Sequence, residues 1–492
     1  MAIAPKSGIR VPRRSIAGME GMYTKMWDPP RESISTPPDL INTSNLPPNG
    51  RANPVPAFME SLGLGAVTTP NTVSLRLLDG LALTTWDNVK DLMFMTFRDR
   101  DFIGIGVYPG PTIRVPRGVI FHGDTQGTGP PPHTIHWHGI EPTPMNDGVG
   151  HCSMEIGQYT YQWQPNFIGT YFYHCHRNTV QHFEFGLYGM LLIEPPDAYD
   201  PAIPINAGGP PKNVGGYPRR MAANLGPTAA NPAGFPQFPG FVGGDATFGV
   251  AGALDIGVGD PHAFTVPYDV ECLWVLDDRD SVWSDLAGDA KAFYPGGANT
   301  NDGPNGLVAV TRPGVDDQFP HGFFHDFNAD YWFVTGVPVP AARGGTGTID
   351  PAGAAPAGGG LPGGLIPAIL NSGVTGMRVD VDAQVNQTVL IRILDAAYNS
   401  VDVTFPVDVV ITAGDGRALG VPPFARYNHP FGLPAGTPFR LSTARRIDAL
   451  VRSSVPVNDF ATVKFYDTRG ENVPGVNQTP LMTARIPFVI RA

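Results

Sequence analysis

The sequence has few cysteines, few charged residues and no long apolar run, and each shortage excludes a class of protein. Only three of the 492 residues are cysteines, and none forms a C-x-x-C pair, which argues against a disulfide framework and a structural zinc site. Charged residues make up 16% of the chain and the net charge is −11, so a nucleic acid is not expected as the main partner. No run of about 18 apolar residues occurs, and no membrane span is expected.

Glycine and proline, in contrast, are abundant. The 60 glycines and 53 prolines separate short runs of β-type sequence, such as residues 72–77, 112–115 and 389–394, and no helical segment of ordinary length stands out. Hydrophobic residues make up 42% of the chain, which is enough to build real cores. The sequence therefore predicts an all-β protein of two sandwich-sized domains with long connections.

Changes in composition suggest where these domains begin and end. Residues 1–60 are expected to form an extended, Pro-rich N-terminal arm, and residues 61–197 a first β domain. Residues 198–262 are rich in glycine, proline, alanine and asparagine and read as a linker, followed by a second β domain over residues 263–492. A low-complexity Ala/Gly/Pro insertion near 338–365 is expected to be a surface excursion.

Histidine is concentrated in one short segment. Eight of the twelve histidines lie between His122 and His182. Because side chains alternate faces along a strand, the two members of each His-x-His pair should share a face, and residues of opposite parity should point the other way. The sequence therefore predicts two sites built back to back. One contains His133, Cys175 and His182, and the other contains His136, His138, His174 and His176.

The residue types at these sites favour copper. Two imidazoles and one thiolate with a weak or absent fourth ligand make up a blue-copper electron-transfer site, and four imidazoles suit further copper, with zinc as the alternative. Cys175 lies between His174 and His176, which gives an electron a short bonded path from one site to the other. Zinc has no redox chemistry and needs no such path. Cys152 and Cys272 are expected to be small core residues.

These segments resemble the multicopper oxidase (cupredoxin) superfamily. Residues 107–114, 134–139 and 169–176 are similar to its first-domain motifs, and the likeness continues more faintly over about 265–490. The resemblance implies two cupredoxin-like Greek-key β-sandwich domains. It also implies a copper-dependent, laccase-like oxidoreductase that passes electrons from a donor (a phenol, a metal ion or a protein) to dioxygen.

The spacing of Cys175 and His182 is similar to that of two-domain oxidases and copper nitrite reductases that carry type 1 copper in the first domain. This likeness implies that the donor is oxidised near His182, with its ring edge towards the surface, and that Leu187 occupies the axial position without coordinating. It implies type 2 or type 3 copper at the four imidazoles, with Asp147 relaying protons unless Asn146-Asp147-Gly148 is only a turn. The likeness also implies a homo-oligomer, for which a trimer is one candidate.

The second half of the chain lacks the histidine pairs that would complete such a site. Its four histidines are His262, His321, His325 and His429, and none forms a His-x-His pair. A complete oxygen-reducing cluster in the resembled family takes imidazole pairs from two domains, so here the cluster is incomplete, completed by a neighbouring subunit, or lost. Three hypotheses stay open: an oxidase, a nitrite-reductase-like enzyme with copper between subunits, and a non-catalytic copper-binding assembly protein with a degenerate cluster.

The cellular compartment is not fixed by the sequence. Arg13-Arg14 is not followed by an apolar stretch, so no signal peptide is recognised. An extracellular or periplasmic location is chemically reasonable for a copper protein, because cells keep little free copper in the cytosol.

Overall fold

The fold is described by a computed structural model. The residues that it describes are 72–99, 108–116, 121–126, 133–140, 142, 146–149, 158–163, 165, 169–176, 179–194, 213–215, 229, 232–236, 266–286, 327–350, 379–419, 430–468 and 479–492. The predicted N-terminal arm, most of the predicted linker, Cys152 and the four histidines of the second half lie outside these residues.

The first half forms two four-stranded sheets. One has the strand order β2-β1-β4-β6 and the other the order β3-β8-β7-β5. The elements are β1 (Thr72–Thr84), β2 (Asp91–Asp99), β3 (Gly110–Pro116), β4 (Phe121–Gln126), β5 (His136–His138), β6 (Gln158–Trp163), β7 (Gly169–His174), helix α1 (Thr179–Glu184) and β8 (Tyr188–Glu194).

Aromatic side chains fill the space between these two sheets. Trp137 on β5 packs edge-to-face against Phe121 on β4 and Trp163 on β6, with ring centroids 5.1 and 5.4 Å apart. These three residues are buried, so large apolar rings from both sheets meet in one core. Because Trp137 points into this core, its neighbours His136 and His138 must point to the opposite face of the sheet.

The second half forms a larger sandwich. One sheet has the order β13-β12-β11-β16-β22-β18-β19, with β20 also paired to β18, and the other has the order β14-β24-β23-β17-β21, with β15 also paired to β24. The elements are β9 (Asn213–Gly215), β10 (Val266–Tyr268), β11 (Val270–Arg279), helix α2 (Ser281–Leu286), β12 (Tyr331–Val334), β13 (Val337–Pro338), β14 (Thr346–Thr348), β15 (Val381–Gln384), β16 (Val389–Asp395), β17 (Ser400–Thr404), β18 (Val409–Gly414), β19 (Arg417–Ala418), β20 (Phe431–Leu433), β21 (Phe439–Leu441), β22 (Arg446–Val451), β23 (Val457–Tyr466) and β24 (Met482–Arg491).

Burial along the strands follows from their positions in this sandwich. Strand β16 is buried along its whole length, as expected for a central strand covered on both faces. Strand β24 alternates buried and partly exposed residues, as expected where one face meets the core and the other meets solvent. The predicted all-β, sandwich-type fold is therefore confirmed. Neither described helix is long and apolar enough to cross a membrane.

Two predictions about the connections need correction. The expected surface insertion near 338–365 is wrong for its first part, because β14 pairs with β24 and Val339 and Ile349 are buried in the core. Its remaining residues, from 351, lie outside the described part. The predicted linker also contributes to the fold, since β9 pairs antiparallel with β10 and Phe235 is buried.

A buried network of charges joins the two sandwiches. Glu271 on β11 lies 2.7 Å from Arg114 on β3 and 2.6 Å from Nε of Arg392 on β16. Arg392 also donates to Thr170 on β7 at 3.1 Å, and the hydroxyl of Thr170 donates to Asp448 on β22. The second sandwich is thus tied to the strand that ends in His174.

Candidate metal centre

Three side chains converge at the end of β7 to form what we call the cysteine group: His133, Cys175 and His182. The Cys175 Sγ lies 3.5 Å from Nδ1 of His133 and 3.1 Å from Nδ1 of His182. The two imidazole rings are stacked with centroids 4.6 Å apart. One donor atom from each of the three residues lies within 4.8 Å of the others. The structure thus brings these three residues of the sequence analysis together.

A tight loop holds the cysteine group in place. The N–H of Cys175 donates to the carbonyl of Leu187 at 3.0 Å, and the N–H of Leu187 donates to the carbonyl of His182 at 2.9 Å. Helix α1 lies inside this loop and carries His182 in its last turn. Leu187 itself is fully buried, and Met190 lies in the core of β8.

The cysteine group is closed off from solvent. The exposed fraction is 5% for His133 and 0% for Cys175 and His182. The expectation that the ring edge of His182 faces the surface is therefore wrong. The physical reason is that the loop closed by the backbone hydrogen bonds of Leu187 with Cys175 and His182 brings Nδ1 of His182 to 3.1 Å from the Cys175 Sγ.

On the other face of the same strands lies what we call the four-histidine group: His136, His138, His174 and His176. Strands β5 and β7 are antiparallel with His136 opposite His174, so their side chains share a face. Nδ1 of His138 lies 3.4 Å from Nε2 of His174, and donor atoms of His136, His138 and His174 all lie within 4.8 Å. The ring of His176 is centred 5.2 Å from that of His136 and 5.6 Å from that of His174. The structure therefore brings all four histidines together.

Asp147 holds one side of the four-histidine group. Nδ1 of His136 lies 2.7 Å from the backbone carbonyl of Asp147 and 3.1 Å from its carboxylate. The next residue, Gly148, has a φ of +75°, and a Cβ there would meet the carbonyl of Ile135 at 1.7 Å. Only glycine lets this loop lie so close to β5. The loop thus fixes the orientation of the His136 ring, as partners of metal-ligating histidines do.

The sequence analysis missed one residue of this site. Phe172 stacks on His138 with ring centroids 4.3 Å apart and lies nearly parallel to His174 at 5.2 Å. Strand alternation could have found it, because Phe172 is two residues before His174 and so shares its face.

Burial keeps the imidazoles in the neutral form that binds metal. It lowers the pKa of His133 to about 4. Burial, with a further contribution from Arg446 on β22, lowers the pKa of His138 to about 3. The pKa of His174 is lowered well below its ordinary value, again mainly by burial. At neutral pH each of these rings has a nitrogen lone pair available.

These pKa shifts predict how the metal-free protein responds to acid. His133 binds a proton near pH 6.5 in the unfolded chain but only near pH 4 in the folded one, so its contribution to the free energy of unfolding falls as the pH drops through this window. At 1.36 kcal/mol per pKa unit, the loss is on the order of 3 kcal/mol for this residue. Urea unfolding of the metal-free protein at pH 7 and pH 4.5, compared with His133→Gln, measures it. An identical pH dependence in both proteins contradicts the prediction.

The cysteine group fits a copper ion. Zinc–sulfur and zinc–nitrogen bonds are about 2.3 and about 2.0 Å long, and bonds of these lengths place sulfur and nitrogen ligands about 3.5 Å apart at a tetrahedral angle. The observed separations of 3.5 and 3.1 Å are close to this value. Nε2 of His133 is buried without a hydrogen-bond partner among the described residues, so Nδ1 faces the thiol as the functional atom. A soft thiolate with two imidazoles is the donor set that copper prefers.

The second sandwich provides no described histidine to this site. His262, His321, His325 and His429 lie outside the described residues. The face of β22 nearest the four-histidine group instead presents Arg446, whose guanidinium lies 5.4 Å from the ring centroid of Phe172. Further imidazoles from this half of the chain are therefore not part of the described site.

Comparison with known proteins finds relatives for one segment of the chain. Residues 92–198 match the family model described as multicopper oxidase. L-ascorbate oxidase of Cucumis sativus is 38% identical over 104 residues, which are 19% of this chain and 16% of that protein. Laccase abr2 of Aspergillus fumigatus is 40% identical over 96 residues, 18% of this chain and 16% of that protein. This segment of the chain is thus similar to a multicopper oxidase domain, as the sequence motifs predicted.

The likeness is limited in extent. The chain covers less than a fifth of the length of these curated relatives. Among solved structures, the blue copper oxidase from Nitrosomonas europaea is 16% identical, with 85% of each chain covered and a TM-score of 0.44.

Proposed function

We propose that the chain is a copper-dependent oxidoreductase that passes electrons from a donor through copper at the cysteine group to copper at the four-histidine group, where dioxygen is reduced. Copper cycling between Cu(I) and Cu(II) would supply the one-electron steps. This function rests on the domain match at residues 92–198 and on the two sets of convergent donor atoms.

The observation that carries the proposal is the use of three consecutive residues by both groups. Cys175 belongs to the cysteine group, while His174 and His176 belong to the four-histidine group. The Cys175 sulfur is therefore connected to the imidazoles of His174 and His176 through covalent bonds alone. An electron that arrives at the sulfur has a bonded path to either ring. A binding protein without electron transfer has no need for this continuity.

Electrons must reach the cysteine group across protein. Val180 on α1 is 50% exposed and lies two residues before His182. Its carbonyl accepts a hydrogen bond of 2.6 Å from the hydroxyl of Tyr398. We place the entry of electrons at this surface, where a donor can approach the backbone of α1 without touching a ligand.

Asp147 has a positioning role in the proposed reaction. Its carbonyl and carboxylate hold Nδ1 of His136, which leaves Nε2 as the nitrogen available to a metal ion. We also propose that this partly exposed carboxylate relays protons to the four-histidine group, where oxygen reduction would consume them.

Asp147→Asn tests that role. Loss of the carboxylate is expected to lower copper affinity at the four-histidine group by about 10-fold, in the range measured for outer partners of metal-bound histidines. Copper competition with a chelator measures the affinity, and Asp382→Asn, which affects a distant ion pair with Arg491, is the control. Equal copper affinity in both variants would show that the Asp147 carboxylate does not support the four-histidine group.

Metal analysis with electron paramagnetic resonance tests the function as a whole. The copper-loaded protein should show a type 1 signal, an intense blue absorption and at least one further copper per chain. It should consume oxygen with a phenolic donor. Absence of the type 1 signal would overturn the proposal, and copper binding without turnover of oxygen or nitrite would favour an assembly role.

A further inference from the structure

A chain of aromatic contacts leads away from the four-histidine group towards the second sandwich. Tyr188 on β8 lies directly opposite His174 on β7 in the antiparallel pair. The ring of Phe183 contacts both residues, with centroids 5.5 Å from His174 and 4.7 Å from Tyr188. Tyr108 lies next, 6.0 Å from Tyr188. The rings thus form a continuous path from the imidazole of His174 into the interface between the sandwiches.

The hydroxyl groups at the end of this path are connected in series. The hydroxyl of Tyr188 donates to that of Tyr108 at 3.0 Å, and the hydroxyl of Tyr108 donates to the carboxylate of Asp277 on β11. Both tyrosines are fully buried and Asp277 is nearly so. A tyrosine that is buried only for structural reasons needs one hydrogen-bond partner for its hydroxyl, and any acceptor serves. A tyrosine whose proton points at a carboxylate can lose an electron and its proton in one step.

We propose that Tyr108, Tyr188 and Asp277 form a redox relay that supplies one electron to the four-histidine group when electrons from the external donor are scarce. This inference rests on the proposed function, because the oxidant is dioxygen at that group. It assigns to the domain interface a role in electron transfer that is separate from the route through Cys175.

The step balances in electrons and protons. The O–H bond of Tyr108 breaks, and its proton forms a new O–H bond on the Asp277 carboxylate. The electron leaves Tyr108 and passes through Tyr188 and Phe183 to the oxidant that copper and dioxygen would form at the four-histidine group. A neutral phenoxyl radical and a neutral carboxylic acid remain, and the hydroxyl of Tyr188 stabilises the radical oxygen by donating to it. An electron from the external donor, with return of the proton, restores Tyr108.

The surroundings of Asp277 suit this role. Burial raises the pKa of Asp277, although Arg279 at 3.0 Å opposes this effect, so the carboxylate is a stronger proton acceptor than an exposed one. The guanidinium of Arg279 also lies 5.1 Å from the ring centroid of Tyr108. A positive charge there makes removal of an electron from Tyr108 harder. Only a strong oxidant, such as activated dioxygen, can therefore oxidise Tyr108.

Freeze-quench electron paramagnetic resonance tests the relay. The copper-loaded protein, reduced and freed of donor, is mixed with oxygenated buffer and frozen. A tyrosyl radical is expected, assigned by the change in its hyperfine pattern with ring-deuterated tyrosine. Tyr108→Phe and Asp277→Asn should abolish the signal while leaving the blue absorption intact. Tyr171→Phe should retain it, because the hydroxyl of Tyr171 donates to the neutral carbonyl of Gly416.

The possible outcomes separate this inference from the proposed function. Oxygen uptake with no tyrosyl radical overturns the relay and leaves the oxidase function standing. A radical that persists in both Tyr108→Phe and Asp277→Asn places it elsewhere and also overturns the relay. Absence of oxygen uptake overturns both, since the relay then has no oxidant. Tyr108→Phe removes only a hydroxyl and leaves the buried ion pair of Asp277 with Arg279 in place, which guards against a variant that fails to fold.

Discussion

Replacement of Cys175 with serine is expected to abolish the blue absorption and to lower oxygen uptake with a phenolic donor by at least about 100-fold. Loss of even an outer partner of a metal ligand costs 10–100-fold, and Cys175 is proposed as the ligand itself. Serine is nearly isosteric, and the backbone bonds between Cys175 and Leu187 remain. The expected loss is therefore chemical, because a hydroxyl supplies neither the soft donor for copper nor the sulfur path to His174 and His176.

The chain offers a matched control. Cys272 on β11 is also buried, and its thiol donates to the carbonyl of Asp380 at 3.3 Å, a bond that a serine hydroxyl can replace. Cys272→Ser should retain colour and turnover, as measured by visible absorption and an oxygen electrode. If Cys175→Ser retains both as well, the cysteine group does not hold the electron-transfer copper.

The largest expected effect on stability comes from Arg392→Ala. Arg392 is fully buried between Glu271 and Asp448. Burial raises the pKa of Glu271, but Arg114 and Arg392 outweigh it and hold that pKa below its ordinary value. Glu271 is therefore ionised, and removal of Arg392 leaves it inadequately compensated in the core. Breaking a buried pair in this way costs about 3–5 kcal/mol in the free energy of unfolding.

Urea unfolding followed by circular dichroism measures this cost. Arg491→Ala is the control, because Arg491 forms an exposed ion pair with Asp382 and such pairs contribute about 0–1 kcal/mol. A cost for Arg392→Ala no greater than that for Arg491→Ala would mean that the network between the sandwiches is not a stabilising element.

Local alternation was enough to predict how the two groups divide. The side chains of His136 and His138 share a face because the strand repeat is two residues, and the buried Trp137 between them fixes which face it is. The same rule separates Cys175 from His174. These relations depend on neighbouring residues only, so they can be read directly from the sequence.

Relations that depend on distant pairing could not be predicted. The register between β5 and β7 places His136 opposite His174. No residue near either strand specifies this register. Residues 339–350 read as low-complexity sequence, yet they are ordered by β24 near the end of the chain. In each case the deciding contact lies far along the sequence.

Because His174, Cys175 and His176 occur in direct succession, any insertion within this run would alter both proposed copper sites together. Insertion of one residue after His174 would exchange the faces that the following side chains occupy. Both groups would then lose donors together. A descendant of this chain with a lengthened motif should retain neither centre, whereas ordinary point substitutions could disable either one alone.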